Sequence, residues 1–336
     1  MIYPKFLQEN DQISVPAPSA GSRDEIDKKR YKNAKKQLIE RGYKIKLSPN
    51  INNNIKGRSA DYKERAKEFN EMIEDESKLI LCASGGEFLS EILPYIEFEK
   101  LQRNPKWVEG FSDPTGLLYT ITTKYDIATI YGDNFKTFGM EKYHKSLKDN
   151  LEIIKGNIIE QDSFELYEEE RKEKITGLEG YNLTNKVEWK EIKNRDVKIK
   201  GRVIAGCLDI ITLLAGTKYD GAKEFNEKYK EDGIIWIFDN CELSKEQLIL
   251  EMWKLNELEF FKYTKLIIFG RNGVETSYLE YDMKTAIEDS VLSKLNIPII
   301  YDADISHKGP TMTIINGAII EVETNNKKAK IKTELK

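Results

Sequence analysis

The chain has 336 residues, of which 40% are hydrophobic and 33% are charged, a composition typical of a soluble globular protein long enough for two domains. Its 53 basic and 57 acidic residues are well mixed and give a net charge of -4, so no basic surface for nucleic acid or an anionic membrane is expected. No apolar run approaches the ~20 residues of a membrane span, and the N-terminus lacks the basic-then-apolar order of a signal peptide. We therefore expect a cytoplasmic protein.

The first 140 residues alternate short apolar runs with helical patterns, which predicts a parallel sheet in an α/β layer fold. Strand-and-turn segments are predicted at 12–21, 43–47, 78–83, 106–109 and 126–134, and helices at 24–42 and 61–75. We expect this N-terminal domain to span 1–140, followed by a charged helical and loop connection over 141–196.

The second half restarts with strands, and we expect a smaller mixed α/β domain over 197–336. Its predicted strands are 197–205, 233–238, 265–270 and 297–301, and a helix over 244–258 begins with a capping box at Ser244. Asn316-Gly317 lies between two further strand patterns, 311–315 and 318–322, and indicates a β-hairpin. Residues 327–335 are predicted to add an edge strand.

Cysteine and histidine, the usual ligands of structural zinc, are scarce in this sequence. The three cysteines, Cys82, Cys207 and Cys241, are widely spaced and form no CxxC, so neither a disulfide framework nor a zinc site is indicated. The histidines are His144 and His307, and His144 falls on a polar helix surface, where we assign it no role. Nothing in the sequence requires a metal or an organic cofactor.

The first candidate site is the stretch Trp107-Val-Glu-Gly-Phe-Ser112-Asp113-Pro114, in which an apolar run enters a turn and a helical pattern leaves it. Two interpretations are open. Ser112 is the nucleophile of a strand-to-helix elbow, with free backbone amides available to hold an oxyanion. Alternatively, Ser-Asp-Pro is an ordinary helix cap followed by proline in the first turn.

A second turn, Ser84-Gly85-Gly86, follows the predicted strand 78–83 but lacks the spacing of a phosphate-binding loop. It is either a tight turn that needs glycine for steric reasons or a source of amides for an anion or oxyanion. Because ligands bind at the carboxyl ends of parallel strands, we expect this turn and Ser112 to be neighbours in space, although they are ~25 residues apart.

A serine nucleophile needs a base and a group that orients the base. His307 follows a predicted strand in a loop ending at Gly309-Pro310, where catalytic groups collect, although it is also interpretable as a structural histidine. Asp239 ends the strand 233–238 and is either the orienting acid or a helix cap. Three other acids compete for the orienting role: Glu242, Asp302 and Asp304.

Six ordered motifs resemble the LD-carboxypeptidase family of serine peptidases, which also includes the microcin C self-immunity proteins. The segments that carry the resemblance are Val15-Pro-Ala-Pro-Ser-Ala, Ala83-Ser-Gly-Gly-Glu with Leu93-Pro-Tyr-Ile-Glu, Asn104-Pro-Lys-Trp-Val-Glu-Gly-Phe-Ser-Asp, Ile204-Ala-Gly-Cys-Leu, Ile235-Trp-Ile-Phe-Asp-Asn and Ile305-Ser-His-Lys-Gly-Pro. The resemblance implies an N-terminal Rossmann-like (flavodoxin-like) domain that carries a serine elbow. It also implies a C-terminal domain that carries the acid and the histidine.

Carried over by position, the resemblance implies Ser112 as nucleophile, His307 as base and Asp239 as acid, with an oxyanion hole from the amides of Asp113 and Gly86. The family's acid is a glutamate, so the aspartate is one methylene shorter, and a misplacement of ~1 Å costs about 100-fold in rate. We therefore keep Glu242 as an alternative orienting acid.

Substrate-binding roles are expected for Ser84, Gly85, Cys207 and Trp189. Cys207 stands where many relatives carry asparagine, and its thiol is a poorer polar contact for substrate, or simply a small buried residue. Trp189 is expected either to stack on a nucleobase or to pack its loop onto the domain.

The resemblance implies a serine carboxypeptidase that cleaves the L,D-peptide bond to the terminal D-alanine of murein tetrapeptides. One alternative is an amidase that detoxifies peptide-nucleotide antibiotics. Another is a binding protein with a weak or inactive triad, for which the aspartate is the only support in the sequence. The expected partners are a small peptide or peptide-nucleotide substrate and, from the family, a second copy of the chain in a homodimer.

Overall fold

The computed structural model describes residues 1–158 and 160–336, which form two compact units. Unit 1 contains residues 1–158, 172–181 and 313–316, and unit 2 contains residues 160–171, 182–312 and 317–336. Each unit is therefore assembled from several segments of the chain.

The strands are β1 (Gln12–Val15), β2 (Lys44–Leu47), β3 (Leu79–Leu81), β4 (Trp107–Gly110), β5 (Thr129–Tyr131), β6 (Glu160–Asp162), β7 (Leu166–Tyr167), β8 (Asn185–Lys186), β9 (Lys190–Glu191), β10 (Lys198–Cys207), β11 (Ile234–Asp239), β12 (Thr264–Gly270), β13 (Ile299–Ala303), β14 (Ile314–Asn316), β15 (Ile319–Asn325) and β16 (Lys328–Glu334). The α-helices are α1 (Glu25–Ile39), α2 (Tyr62–Glu74), α3 (Phe98–Arg103), α4 (Thr115–Tyr125), α5 (Lys145–Ile154), α6 (Leu208–Leu214), α7 (Ala222–Lys228), α8 (Lys245–Glu257) and α9 (Met283–Asp289). Short 3₁₀ helices span Leu89–Tyr95, Phe135–Gly139 and Val291–Lys294.

Unit 1 is built on a six-stranded sheet in the order β14-β5-β4-β3-β1-β2. Strands β1 to β5 pair in parallel, and β14 joins β5 antiparallel. The parallel order β2-β1-β3-β4-β5 is the flavodoxin-like arrangement, with its topological switch between β1 and β3. This confirms the predicted Rossmann-like, flavodoxin-like fold. Strands β3, β4 and β5 are buried along their whole length, as expected for the centre of a parallel sheet.

Unit 2 is built on an eight-stranded mixed sheet in the order β6-β16-β15-β10-β11-β12-β13-β9. Strands β10 to β13 are parallel, and the strands on either side of this group pair antiparallel. The mixed α/β class predicted for the second half is therefore confirmed. Helix α8 begins with the predicted capping box, in which the side chains of Ser244 and Gln247 each accept from the other's backbone amide.

The predicted hairpin at Asn316-Gly317 is wrong. Strand β14 pairs with β5 in the sheet of unit 1, whereas β15 pairs with β10 and β16 in the sheet of unit 2. The turn residues are engaged instead by β10, because the Gly317 amide donates to the Val203 carbonyl and the Arg202 guanidinium donates to the Gly317 carbonyl at 2.5 Å. The strand predicted at 327–335 is present as β16, but the prediction that it lies at the edge of the sheet is wrong, because β6 pairs with its outer side.

Residues 141–196 contribute α5 to unit 1 and the short strands β6 to β9 to unit 2. Strands β7 and β8 form a separate two-stranded sheet, and β9 extends the large sheet of unit 2. Across the described ranges 1–158 and 160–336, none of the helices is both long and apolar enough to span a membrane.

Candidate active site

Ser112 lies on a sharp turn between the end of β4 at Gly110 and the start of α4 at Thr115. Its backbone φ is 70°, in the left-handed region that non-glycine residues rarely adopt. A helix-capping residue normally has an extended backbone, and here Pro114 occupies the cap position. The turn therefore has the strained strand-to-helix geometry of a nucleophile elbow.

Asn134 forms two hydrogen bonds with the backbone of Phe111, the residue before this serine. The Asn134 side-chain oxygen accepts from the Phe111 amide at 3.0 Å, and its nitrogen donates to the Phe111 carbonyl at 3.0 Å. Asn134 follows β5, whose carboxyl end lies at the same edge of the sheet as that of β4. No role is predicted for Asn134 from the sequence, although a polar residue in the loop after a strand that neighbours the elbow strand is a usable signal.

The Ser84–Gly86 turn lies against the elbow. A β-carbon placed on Gly85 would lie 3.0 Å from Ser112 Cβ and 3.2 Å from Ser112 Oγ, so glycine leaves space beside the serine hydroxyl. This confirms that the two turns are neighbours in space. Gly86 in turn faces the Ser19 hydroxyl and the backbone of Ala20.

Asp113 is buried and is held by groups from two other loops of unit 1. Its Oδ2 accepts from the Ser19 hydroxyl and, at 3.0 Å, from the Leu89 amide. Burial raises the pKa of Asp113 to about 6, against the lowering effect of these hydrogen bonds. No role is predicted for Ser19 from the sequence, although it lies in the loop after β1, at the switch point of the sheet. The Ser84 hydroxyl donates to the Ala20 carbonyl at 2.8 Å.

In unit 2, Asp239 holds His307 through both of its carboxylate oxygens. Oδ2 lies 2.9 Å from the imidazole Nδ1, and Oδ1 accepts from the His307 backbone amide at 3.1 Å. The Asp239 side chain is completely buried at the end of β11. The shorter acid therefore reaches the ring, and the contact leaves the ring's other nitrogen, Nε2, as the one to carry a proton to or from a reactant.

The competing acids have other partners. Asp302 pairs with Lys190 at 2.9 Å, and Asp304 pairs with the buried guanidinium of Arg271 at 2.5 Å. Glu242 is exposed on the loop after β11. Among these candidates, Asp239 is the acid that the structure brings to the histidine.

The ionisation of His307 is governed by opposing effects. Burial favours the neutral ring and lowers its pKa, whereas the charge of Asp239 and its hydrogen bond to the ring favour the imidazolium. The thiol of Cys241 acts in the same direction as Asp239. The attraction of the acid prevails and raises the pKa of His307 to about 10.

Asp209 fixes the ends of two strands beside this pair. Its Oδ2 accepts from the Cys241 amide at 3.0 Å and from the Cys207 thiol at 3.2 Å, and its Oδ1 accepts from the Glu242 amide at 2.9 Å. Cys207 is Asp239's neighbour in the parallel register of β10 and β11. Burial raises the pKa of the Cys207 thiol well above its usual value, so the thiol is neutral.

Trp189 is in the core of unit 2, where only 2% of its surface is exposed. Its indole nitrogen donates to Asp304 Oδ2 at 3.0 Å. This is the packing arrangement rather than the stacking one, because a buried indole offers no open ring face to a nucleobase.

The structure thus gathers Ser112, Ser84, Gly85, Gly86 and Asp113 at one sheet edge of unit 1. It gathers His307, Asp239 and Cys207 at the strand ends of unit 2. The described part of the chain contains no cluster of three or more histidine, cysteine, aspartate or glutamate side chains placed to hold a metal ion.

A flavodoxin-like sheet with a serine elbow, accompanied by a mixed α/β unit with an Asp–His pair, is an architecture suited to hydrolytic enzymes. Residues 13–132 match the LD-carboxypeptidase N-terminal domain, and residues 200–322 match the LD-carboxypeptidase C-terminal domain. The two matches together cover more than half of the chain, which belongs to the LD-carboxypeptidase family.

Curated relatives resemble the chain over most of its length. A putative carboxypeptidase of Treponema pallidum is 25% identical, over 96% of this chain and 92% of the relative. The microcin C7 self-immunity protein MccF of Escherichia coli is 26% identical, over 82% of this chain and 79% of the relative. An MccF-like protein from Bacillus anthracis has the same fold, with a TM-score of 0.83 and 24% identity over 99% of this chain and all of that one.

Proposed function

We propose that this protein is a serine carboxypeptidase that hydrolyses the L,D-peptide bond to the terminal D-alanine of murein tetrapeptides. The observation that carries the proposal is the left-handed backbone of Ser112 at a strand-to-helix turn, against the glycine turn of residues 85–86. Such strain persists only where the surrounding structure enforces it, and it is concentrated at functional sites. Membership of a peptidase family supports this interpretation.

In the proposed mechanism, Ser112 Oγ attacks the carbonyl carbon of the scissile bond while His307 Nε2 takes the hydroxyl proton. Asp239 keeps the ring oriented and stabilises the imidazolium. The amides of Asp113 and Gly86 hold the developing oxyanion. The imidazolium then protonates the leaving nitrogen, so that D-alanine departs, and water hydrolyses the serine ester with the same histidine as base. Ser84, Gly85 and Cys207 are proposed to contact the substrate.

The test is release of D-alanine from a murein tetrapeptide by the wild type, Ser112→Ala and a matched control, Ser22→Ala. Ser22 is a buried serine of the same unit whose hydroxyl bonds the Asn52 carbonyl. We expect release by the wild type and by the control, and a loss of about 10⁴-fold or more with Ser112→Ala. No release by the wild type, or release that survives Ser112→Ala, contradicts the proposal.

A second candidate is an amidase that acts on peptide-nucleotide antibiotics. It is favoured by the similarity to the E. coli self-immunity protein MccF. Hydrolysis of an aminoacyl-nucleotide amide, without release of D-alanine from the tetrapeptide, would select this candidate. Binding of either compound without turnover would instead indicate a catalytically inactive binding protein.

We further propose, from the family resemblance, that the protein acts in the cytoplasm as a homodimer. Light scattering during gel filtration tests the assembly directly. A mass of about 78 kDa supports a dimer, and the chain mass of 38.9 kDa contradicts it.

A further inference from the structure

The His307 loop, residues 304–310, packs against the end of β12. A β-carbon placed on Gly270, the last residue of that strand, would lie 2.0 Å from the Ile305 carbonyl oxygen, so the backbones of strand and loop are in close contact. Arg271 follows directly and is 3% exposed. Its long side chain is therefore buried where the strand meets this loop.

The Arg271 guanidinium binds the loop on both sides of the histidine. Before His307, Nη1 donates to Asp304 Oδ1 at 2.5 Å. After it, Nη2 donates to the Lys308 carbonyl at 2.7 Å and to the Pro310 carbonyl at 3.1 Å, and Nε donates to the Lys308 carbonyl at 3.1 Å. All three guanidinium nitrogens are used, and their rigid, planar arrangement fixes the distance between the two sides of the loop.

The arginine and its acid are themselves held by the core of unit 2. Asp304 is completely buried, and its Oδ2 accepts from the Trp189 indole nitrogen at 3.0 Å and from the Phe164 amide at 3.1 Å. The guanidinium of Arg271 also lies over the ring of Tyr167, 4.5 Å from its centre. The loop is therefore tied to groups that packing keeps in place.

We propose that Arg271 is a positioning residue that holds His307 against Asp239. The ring Nδ1 lies 2.9 Å from Asp239 Oδ2, and the His307 backbone amide donates to Oδ1 at 3.1 Å. Both contacts require the loop backbone to stay in place, and Arg271 binds that backbone on either side of them. The inference rests on the proposed function, in which His307 is the base, and adds a residue on which the orientation of the base depends.

The ionisation of His307 reports on this contact. Burial lowers the pKa of the ring, and Asp239 overcomes this effect and raises it to about 10. The thiol of Cys241 acts in the same direction as Asp239. Two cations are also close to the histidine, because the Arg171 guanidinium donates to its carbonyl at 2.8 Å and Lys308 follows it in the chain. A loop that lets the ring move away from Asp239 allows burial to prevail, so the pKa of His307 falls.

The variant Arg271→Lys tests positioning without a change of charge. Lysine keeps a positive charge beside Asp304, but its single nitrogen cannot also bind the two loop carbonyls. We expect the pKa of His307 to fall by about one pH unit or more, which increases the neutral fraction of the ring at pH 7 by about tenfold or more.

Arg202→Lys is the matched control, because Arg202 is also a buried arginine of unit 2. It is 3% exposed and forms an ion pair with Asp232 at 2.6 Å. It pairs in register with the first residue of β11, whereas Asp239 is the last. The control should lose stability as Arg271→Lys does, but it should leave the pKa of His307 unchanged.

NMR titration of the histidine ring Hε1 signals from about pH 5 to about pH 11 measures the pKa directly. The chain has two histidines, and the variant His144→Gln assigns their signals. His144 lies in unit 1, where burial lowers its pKa, so its signal is an internal standard. An unchanged pKa of His307 in Arg271→Lys, or an equal fall in Arg202→Lys, would overturn the inference.

The double variant Arg271→Gln/Asp304→Asn covers the case in which Arg271→Lys does not fold. It removes both charges together, so no unpaired ion is buried and the net charge of the pair stays the same. The pKa of His307 should fall in this variant too. If neither variant folds while Arg202→Lys does, Arg271 supports the fold as a whole, and the positioning role is rejected.

The titration needs no substrate, so it separates failure of this inference from failure of the proposed function. If the wild type does not hydrolyse the tetrapeptide, the hydrolase function fails, and the pKa values still decide whether Arg271 positions His307. If the wild type is active, kcat/KM of Arg271→Lys should level off at a lower pH than in the wild type. Its plateau should be about 100-fold lower, since a misplacement of ~1 Å costs about that much in rate. An unchanged plateau would contradict the role of Arg271 in catalysis.

Discussion

At the scale of single residues, Asp239 compensates for its short side chain by its position. It lies at the very end of β11, where one oxygen meets the His307 ring and the other meets the backbone amide of the same residue. The two contacts fix both the loop and the imidazole. The shortfall expected from comparing aspartate with glutamate is absent, since Asp239 Oδ2 lies 2.9 Å from the imidazole Nδ1.

The high pKa of His307 predicts an alkaline pH dependence. A base must be neutral to act, and with a pKa of about 10 only roughly one thousandth of the ring is neutral at pH 7. We expect kcat/KM for the tetrapeptide to rise about tenfold per pH unit from pH 7 to pH 9 and to level off near pH 10. Asp239→Asn should shift this rise to lower pH and reduce the plateau. A wild-type profile that levels off near pH 6.5 would contradict the assignment.

The same shift affects stability with a defined sign. Because the folded pKa of His307 lies above its unfolded value, the Asp239–His307 pair contributes fully below about pH 6.5. That contribution is lost as the pH rises through about 10. The pH of greatest activity is therefore predicted to lie in the range where the Asp239–His307 pair already contributes less to the stability of the fold.

Glu109 makes a second pH-dependent contribution to the stability of the fold. It is completely buried in β4, and burial raises its pKa to about 8, against a hydrogen bond from Asn150. The folded protein holds Glu109 protonated while the unfolded chain ionises above about pH 4.5, so its contribution to stability falls as the pH rises from there to 8. Glutamine cannot ionise. The free energy of unfolding of Glu109→Gln, relative to that of the wild type, should therefore rise by up to about 1.4 kcal/mol per pH unit in that window.

Urea unfolding of both proteins at pH 5 and pH 8 measures this gain. The free energy of unfolding of Glu109→Gln minus that of the wild type should be larger at pH 8 than at pH 5. The exposed control Glu99→Gln should show no such dependence on pH. An equal effect of Glu109→Gln at the two pH values would show that Glu109 is ionised in the folded protein.

At the scale of elements, the strand-to-helix turn at Ser112 stores strain. A non-glycine residue in the left-handed region costs about 1 kcal/mol or more, and glycine adopts it freely. We expect Ser112→Gly to be about 1 kcal/mol more stable than Ser112→Ala, although both lack the hydroxyl and both should be inactive. Chemical denaturation compares the two variants. Equal stability would mean that the turn relaxes when the serine is replaced.

The sequence was sufficient to predict most elements because their signals are local. Alternating apolar runs located the parallel strands, and the capping box located the start of α8. The Asn316-Gly317 turn was mistaken for a hairpin because a turn signal fixes the local backbone but not the partners of the flanking strands. Asn134 was missed for a related reason, since its role depends on contacts with a residue distant in sequence.

At the scale of the whole molecule, each unit contains segments that are distant from one another in the sequence. Residues 313–316 belong to unit 1, whereas the residues immediately before and after them belong to unit 2. A division of the chain at sequence-predicted boundaries such as 140 and 197 therefore separates β14 from the sheet that it completes. The two family matches, 13–132 and 200–322, also place β14 with the C-terminal half.

This arrangement predicts how a fragment of residues 1–158 will behave. Without β14, the strand β5 becomes an open edge, because Ile314 and Ile315 no longer pair with Tyr131 and Ile130. Unpaired strand edges with apolar side chains promote self-association. We expect the fragment to aggregate or to unfold several degrees below the same fragment with residues 311–318 joined by a flexible Gly-Ser linker.

Gel filtration and thermal unfolding compare the two fragments, and the linked fragment with Ile315→Lys serves as the control for pairing. Ile315 is buried, so a lysine there should cancel the benefit of the linked strand. Both fragments lack residues 172–181, so the difference between them isolates β14. If the two fragments melt at the same temperature and both remain monomeric, the β5 edge needs no partner, and β14 is then held by the fold of unit 1 without supporting it.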